Sequence, residues 1–146
     1  MSGLFLIGRL IVGAFYIYNG INHFLKLSPL AAYAKSKGVA PPELAVAGSG
    51  LLLLVAGITI LAGYEPRVGV AALALFFIPV TYMMHNFWAV PAQEKAMQLV
   101  QFTKNSALLG SALMFLKIPR PWPLSLDPGK KQRPTPSKTR ASSAGG

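Results

Sequence analysis

Two histidines, a lysine and a few amides are the residues of this chain whose types and positions can do chemistry. His23 follows Asn22 at the end of one apolar run, His85 precedes Asn86 at the end of another, and Lys104 and Asn105 stand inside a fourth. Glu43 and Tyr82 complete a candidate polar pocket. An imidazole can donate, accept or relay a proton, and a positioned ammonium stabilises negative charge as it develops. Two facing imidazoles can also ligate haem iron. Haem is disfavoured here, because a histidine at a membrane interface is more often simply hydrogen-bonded or solvated. A metal held without haem is weaker still: Glu43 is the one further side-chain ligand nearby, and no pair stands at helical ligand spacing. The chain has no cysteine, which removes disulfides, thiolate metal sites and cysteine nucleophiles. It also lacks a glycine-rich phosphate loop, a hydrolase elbow and paired carboxylates.

The elements that must position these groups are apolar. Of 146 residues 53% are hydrophobic and 12% charged, against roughly 25% charged in a soluble domain. Residues 117–146 hold 7 of the 14 Lys and Arg and 6 of the 12 Pro, so the remainder is more apolar still. Spanning ~30 Å of hydrocarbon takes about 20 apolar residues. Four stretches meet that length, at about 3–25, 44–63, 68–90 and 96–116. The expected fold is therefore all-α: a polytopic membrane protein with a four-transmembrane-helix bundle over residues 1–118 and a disordered, basic, proline-rich tail over 119–146. A signal peptide fits the first span poorly, since no Lys or Arg precedes Arg9 and polar residues interrupt the apolar run. The first loop opens with Ser28 and Pro29, which predict the cap and first position of a short surface helix.

Near the span ends, Arg9, Arg67, Lys117, Arg120, Lys130, Lys131 and Arg133 lie on one side and Lys26, Lys35, Lys37 and Lys95 on the other. This bias predicts cytoplasmic N- and C-termini in a bacterial inner membrane. The net charge of +10 then finds its counter-charge in anionic lipid headgroups rather than nucleic acid, because the basic groups gather in a tail with no basic helix or aromatic platform. Tyr64 and Trp122 are expected at one interface, Phe87 and Trp88 at the other.

Helices in lipid associate through small residues and buried polar contacts. The first carries Arg9, Gly13, Tyr16, Gly20 and His23 on one stripe; the second Ala45, Ser49, Ala56, Thr59 and Gly63; the fourth Lys104, Ala107 and Ser111, with Ser106 and Gly110 beside them. Alternating helix direction brings His23, Asn22, Glu43, Tyr82, His85, Lys104 and Asn105 into one leaflet. Arg9 lies 14 residues from His23, about 21 Å at the helical rise, and so belongs to the inner end with Glu65. There its head is expected to snorkel toward water. Pro79 cannot donate to the Leu75 carbonyl and is expected to bend the third span beside Tyr82 and His85.

Taken in order, four segments resemble the DoxX family of small four-helix bacterial membrane proteins, which includes relatives of the DoxD subunit of thiosulfate:quinone oxidoreductase. They are GRLIVGAFYIYNGINHFLK from Gly8, KGVAPPEL from Lys37, GLLLLVAGITILAGYEPRVGVAAL from Gly50 and HNFWAVPAQEKAMQLVQFTKNSALLGSALMF from His85. Arg9, Gly20, His23, Lys104 and Asn105 fall on family-like segments. One departure stands out: members often carry a carboxylate inside the second helix, and around Val46 there is none, Glu43 lying one turn earlier. The resemblance implies an inner-membrane protein that partners redox enzymes in some members.

The sequence thus leads to two functional expectations. The first is a non-catalytic membrane subunit of a quinone-linked oxidoreductase system, its outer pocket receiving a quinone headgroup while a partner supplies the redox centre. The second is a small transporter or binding protein for an amphipathic solute or lipid, completed by homo-oligomerisation. No cofactor is assigned within the chain itself.

Overall fold

The fold is described from a computed structural model over residues 2–128. Five α-helices follow one another: α1 Ser2–Leu25, α2 Leu27–Ser36, α3 Pro42–Ala62, α4 Pro66–Met84 and α5 Ala92–Met114. Single 3-10 turns at Phe87–Ala89 and Phe115–Lys117 flank α5. No strand occurs among the described residues. Three helices are long and apolar enough to cross a membrane: Gly3–Leu25, Pro42–Ala62 and Pro66–Ala89. The fourth long helix, α5, has 23 residues, about 34 Å at the helical rise, but Gln98, Gln101, Lys104 and Asn105 dilute its apolar character. Leu4, Ile11, Leu25, Leu51, Ile58, Leu75 and Ile78 all stand more than half exposed. Water tolerates no such continuous apolar surface, whereas lipid requires it.

The bundle closes on glycine. Gly13 and Gly20 of α1 face Gly57 and Gly50 of α3, so the two helices run antiparallel with backbones touching at two levels. A Cβ on Gly57 would lie 2.7 Å from the Ile17 nitrogen, and one on Gly20 would lie 3.0 Å from the Gly50 carbonyl oxygen. In lipid such approaches replace the hydrophobic effect as the source of helix association. The expected α1 stripe is buried at Arg9, Gly13, Tyr16 and Gly20. The α3 face differs in part: Val46, Gly50, Leu53, Gly57 and Ile60 are buried with the expected Ala56 and Gly63, Ser49 and Thr59 are half-buried, and Ala45 is exposed. The register is set by the two glycines that match α1.

α5 also turns by one position. It buries Gln98, Asn105 and Ala112, seven residues apart, and leaves Lys104, Ala107, Ser111, Ser106 and Gly110 exposed. One residue rotates a helix face by ~100°, and a neutral amide is cheaper to bury than an ammonium. The boundaries shift in the same physical spirit. α2 forms, but its cap residue is Lys26, not Ser28, and Pro29 sits within the first turn, where its missing N–H costs no helical hydrogen bond. The third span is helical only to Met84. Gly63 ends α3 at φ 66°, a left-handed turn that suits glycine.

Residues 119–128, expected in the disordered tail, instead form a strap across the bundle end where α1 starts and α3 finishes. Trp122 is 2% exposed, edge-on to Phe5 at 5.2 Å and to Phe115 at 5.6 Å. It is a core residue rather than the expected interfacial anchor, because the strap brings its ring under α1; Tyr64, by contrast, is exposed. The Leu126 amide donates to the Ala62 carbonyl at 2.9 Å, giving the end of α3 a partner. The remainder of the tail, 129–146, lies outside the described residues.

Candidate functional site

At the end of the bundle where α1 and α4 finish and α3 begins lies a cavity of about 520 Å³, walled by all five helices. Most of its wall is apolar, from Leu52, Leu53, Phe76, Phe77, Val80 and Leu108 among others. Its polar groups come from α1 (Tyr16, Asn19, His23), α2 (Tyr33), α3 (Ser49), the end of α4 (His85) and α5 (Lys104, Asn105). Pro79 and Leu75 line it together, at the place where the proline withdraws a helical hydrogen bond.

Two of these polar side chains carry the argument for a ligand. Asn105 is 6% exposed and Tyr16 2% exposed, and neither side chain makes a hydrogen bond among the described residues. The sealed polar atoms without a partner among the described residues are Arg9 Nε, Thr81 Oγ1 and Trp122 Nε1; the Tyr16 and Asn105 polar atoms are not sealed and stay reachable from the cavity they line. Two such groups lining one apolar cavity are complementary to a molecule that brings its own polar head.

The other polar groups are held in place. His23 Nδ1 bonds the Asn19 carbonyl oxygen at 2.8 Å, and the Asn19 amide nitrogen donates to the Phe15 carbonyl at 2.8 Å. His85 Nδ1 meets Gln98 Oε1 at 3.0 Å, Gln98 Nε2 donates to the Tyr33 hydroxyl at 3.2 Å, and that hydroxyl donates to the Met84 carbonyl at 3.2 Å. Lys37 donates to Asn86 Oδ1 at 3.3 Å and lies 5.7 Å from the Tyr33 ring centre. These contacts tie α2 to the α4–α5 junction. Lys104 donates to Gln101 from the exposed side of α5.

Of the seven residues expected in the pocket, His23, His85, Lys104 and Asn105 line the cavity together. Asn22, Glu43 and Tyr82 do not. Glu43 is exposed in the first turn of α3. Tyr82 is 67% exposed and tilts against Trp88 at 5.4 Å. Asn22, one residue from His23, is rotated ~100° away. Sequence reasoning missed Tyr16, Asn19, Tyr33 and Gln98 as members of the site. A tyrosine on the amphipathic loop helix and a glutamine seven residues before Asn105 were the available signals.

The end of the bundle closed by the strap separates the expected partners Arg9 and Glu65. Arg9 is 5% exposed and donates to the carbonyls of Pro123 at 3.2 Å and Leu124 at 2.6 Å. Its head is thus inside protein rather than snorkelling, because the strap supplies acceptors where lipid cannot. Glu65 accepts two bonds from Arg120, at 2.9 and 2.6 Å, and Arg120 also bridges to Asp127 at 2.6 Å. The two carboxylates hold the Arg120 pKa above its ordinary value. Among the described residues no group of three or more His, Cys, Asp or Glu could hold a metal ion.

Neither a curated protein nor a solved structure matches the chain. A family model described as DoxX matches residues 4–86, which covers α1 to α4 and stops before α5, so Lys104 and Asn105 lie beyond the matched stretch. That match takes in more than half of the chain, and with three apolar helices of spanning length it makes this multi-pass membrane protein a member of the DoxX family.

Proposed function

We propose that the protein is a membrane subunit of a quinone-linked oxidoreductase system, and that the cavity beside His23 and His85 receives the headgroup of a lipid-soluble quinone. The observation that carries the reading is the pair Tyr16 and Asn105, buried and unpartnered on the wall of a largely apolar cavity. Quinone oxygens answer those groups, and the apolar wall answers the ring and the start of its tail. The chain binds and orients; a partner supplies electrons. The residues fit a quinone better than haem, since His23 packs edge-on against Phe76 at 5.9 Å, inside the shell of side chains rather than facing an open metal plane. The lysine and arginine bias supports cytoplasmic N- and C-termini in a bacterial inner membrane.

A second reading has its own support. The cavity wall carries Lys104 and two histidines but no carboxylate, which suits an anionic amphiphile carried or stored without chemistry. One experiment separates the two. Protein extracted in mild detergent is analysed by mass spectrometry and absorption for everything retained, alongside Asn105→Leu. Retained quinone that the variant loses, with a redox enzyme in the same preparation, supports the first reading. Retained fatty acid or lipid without quinone or redox partner supports the second and overturns the first.

A further inference from the structure

We infer that the cavity selects a hydroxyl-bearing headgroup, the hydroquinone or a comparable phenol, over the corresponding dione, because its fixed polar atoms are hydrogen-bond acceptors; this rests on the quinone reading of the same cavity. The inference follows from where protons must lie. A backbone carbonyl only accepts. The Asn19 amide that meets the Phe15 carbonyl is therefore its NH₂ end, which turns Oδ1 outward as an acceptor. His23 Nδ1 meets the Asn19 carbonyl, so Nδ1 carries the proton and Nε2 of the neutral ring is left as an acceptor.

His85 is fixed by a longer relay. The Tyr33 hydroxyl has one proton, and the Met84 carbonyl takes it. Gln98 must then donate to the Tyr33 oxygen through Nε2, which leaves Oε1 facing His85. An amide oxygen accepts, so His85 Nδ1 carries the proton and Nε2 is again an acceptor. Neither Nε2 nor the Asn19 oxygen has a hydrogen-bond partner among the described residues. Gln98 and Tyr33 are thus positioning residues, setting the tautomer of His85 from α5 and α2.

Three acceptors on residues that line one cavity cannot bond a dione oxygen, which is itself an acceptor. A hydroxyl satisfies them, and its oxygen lone pairs still accept from Lys104, while Asn105 and Tyr16 can pair with either form. Mispairing one buried group in this way shifts affinity by about tenfold or more.

The test uses the full chain in detergent without oxygen at about pH 8. The probes are a decyl-substituted benzohydroquinone and the matching benzoquinone, with nitrogen-15 NMR of the histidine rings read in parallel. The expected result is at least about tenfold tighter binding of the hydroquinone, with both rings protonated at Nδ1. In Gln98→Leu the His85 signal should shift toward the mixed tautomers of a free imidazole and the preference should shrink, while Gln98→Glu, which keeps an acceptor facing Nδ1, should restore the His85 signal. Equal or tighter binding of the quinone overturns the selection and leaves the quinone site standing. Binding of neither probe overturns both, and a His85 ring protonated at Nε2 overturns the relay whatever binds.

Discussion

Gly57→Ala tests the seam on which the bundle is built. The added methyl would lie 2.7 Å from the Ile17 nitrogen and 2.8 Å from the Gly13 carbonyl oxygen, about 0.7 Å inside ordinary contact. Both atoms are backbone, so no rotamer can make room and α1 must move bodily away from α3. Overpacking of this kind costs about 1–3 kcal/mol. The internal control is Gly48→Ala on the same helix, where the methyl meets nothing within 4 Å. There the substitution should gain up to about 1 kcal/mol, from helix propensity and a less flexible unfolded chain. Because Gly57→Ala shares that gain, reversible unfolding in mixed micelles should separate the two variants by the overpacking cost, about 1–3 kcal/mol. Equal stability within about 0.5 kcal/mol, the scatter of neutral surface changes, would refute the glycine contact between α1 and α3.

Other perturbations address the two ends. Arg9→Leu strips the Pro123 and Leu124 carbonyls of their donor; a loss of about 1.5–3 kcal/mol is expected for bonds to a charged group, with faster hydrogen exchange over 119–128 and little change in α4. Arg120→Gln breaks its pairs with Glu65 and Asp127, and because Arg120 is partly exposed the stability gap from the parent should narrow as salt is raised. Asn105→Leu replaces an unpartnered buried amide, so unfolding stability should hold or rise while retained quinone is lost. Glu43→Gln and Tyr82→Phe, outside the cavity wall, should leave retention unchanged.

Much of the architecture was legible because lipid imposes a simple rule of length and polarity. The α1 stripe could be read because Arg9, Gly13, Tyr16, Gly20 and His23 gather small and polar residues on one helix face. On α3 and α5 several small residues compete, and only the partner surface chooses among them. Gly50 and Gly57 won over Ala45 because they meet Gly20 and Gly13. Asn105 and Gln98 went inward and Lys104 to the edge because an ammonium resists burial. The depth of His23, His85 and Asn105 followed from helix direction; the inclusion of Tyr33 did not, since the docking of α2 on α3 through Ala31, Ala34 and Val46 depends on packing no local pattern records. The strap was obscured by its prolines, which suggest disorder. One aromatic, Trp122, and one buried cation, Arg9, outweigh them.

The account depends most on the cavity being where a quinone sits. A photoreactive azidoquinone incubated with the protein in native membranes, followed by irradiation and peptide mapping, reads that directly. Labels should concentrate on α1 around Tyr16 to His23, on α4 and its cap from Phe76 to His85, and on α5 near Asn105, and excess unlabelled hydroquinone should remove them. Labels spread over the lipid-facing leucines and isoleucines, indifferent to that competitor, would contradict it.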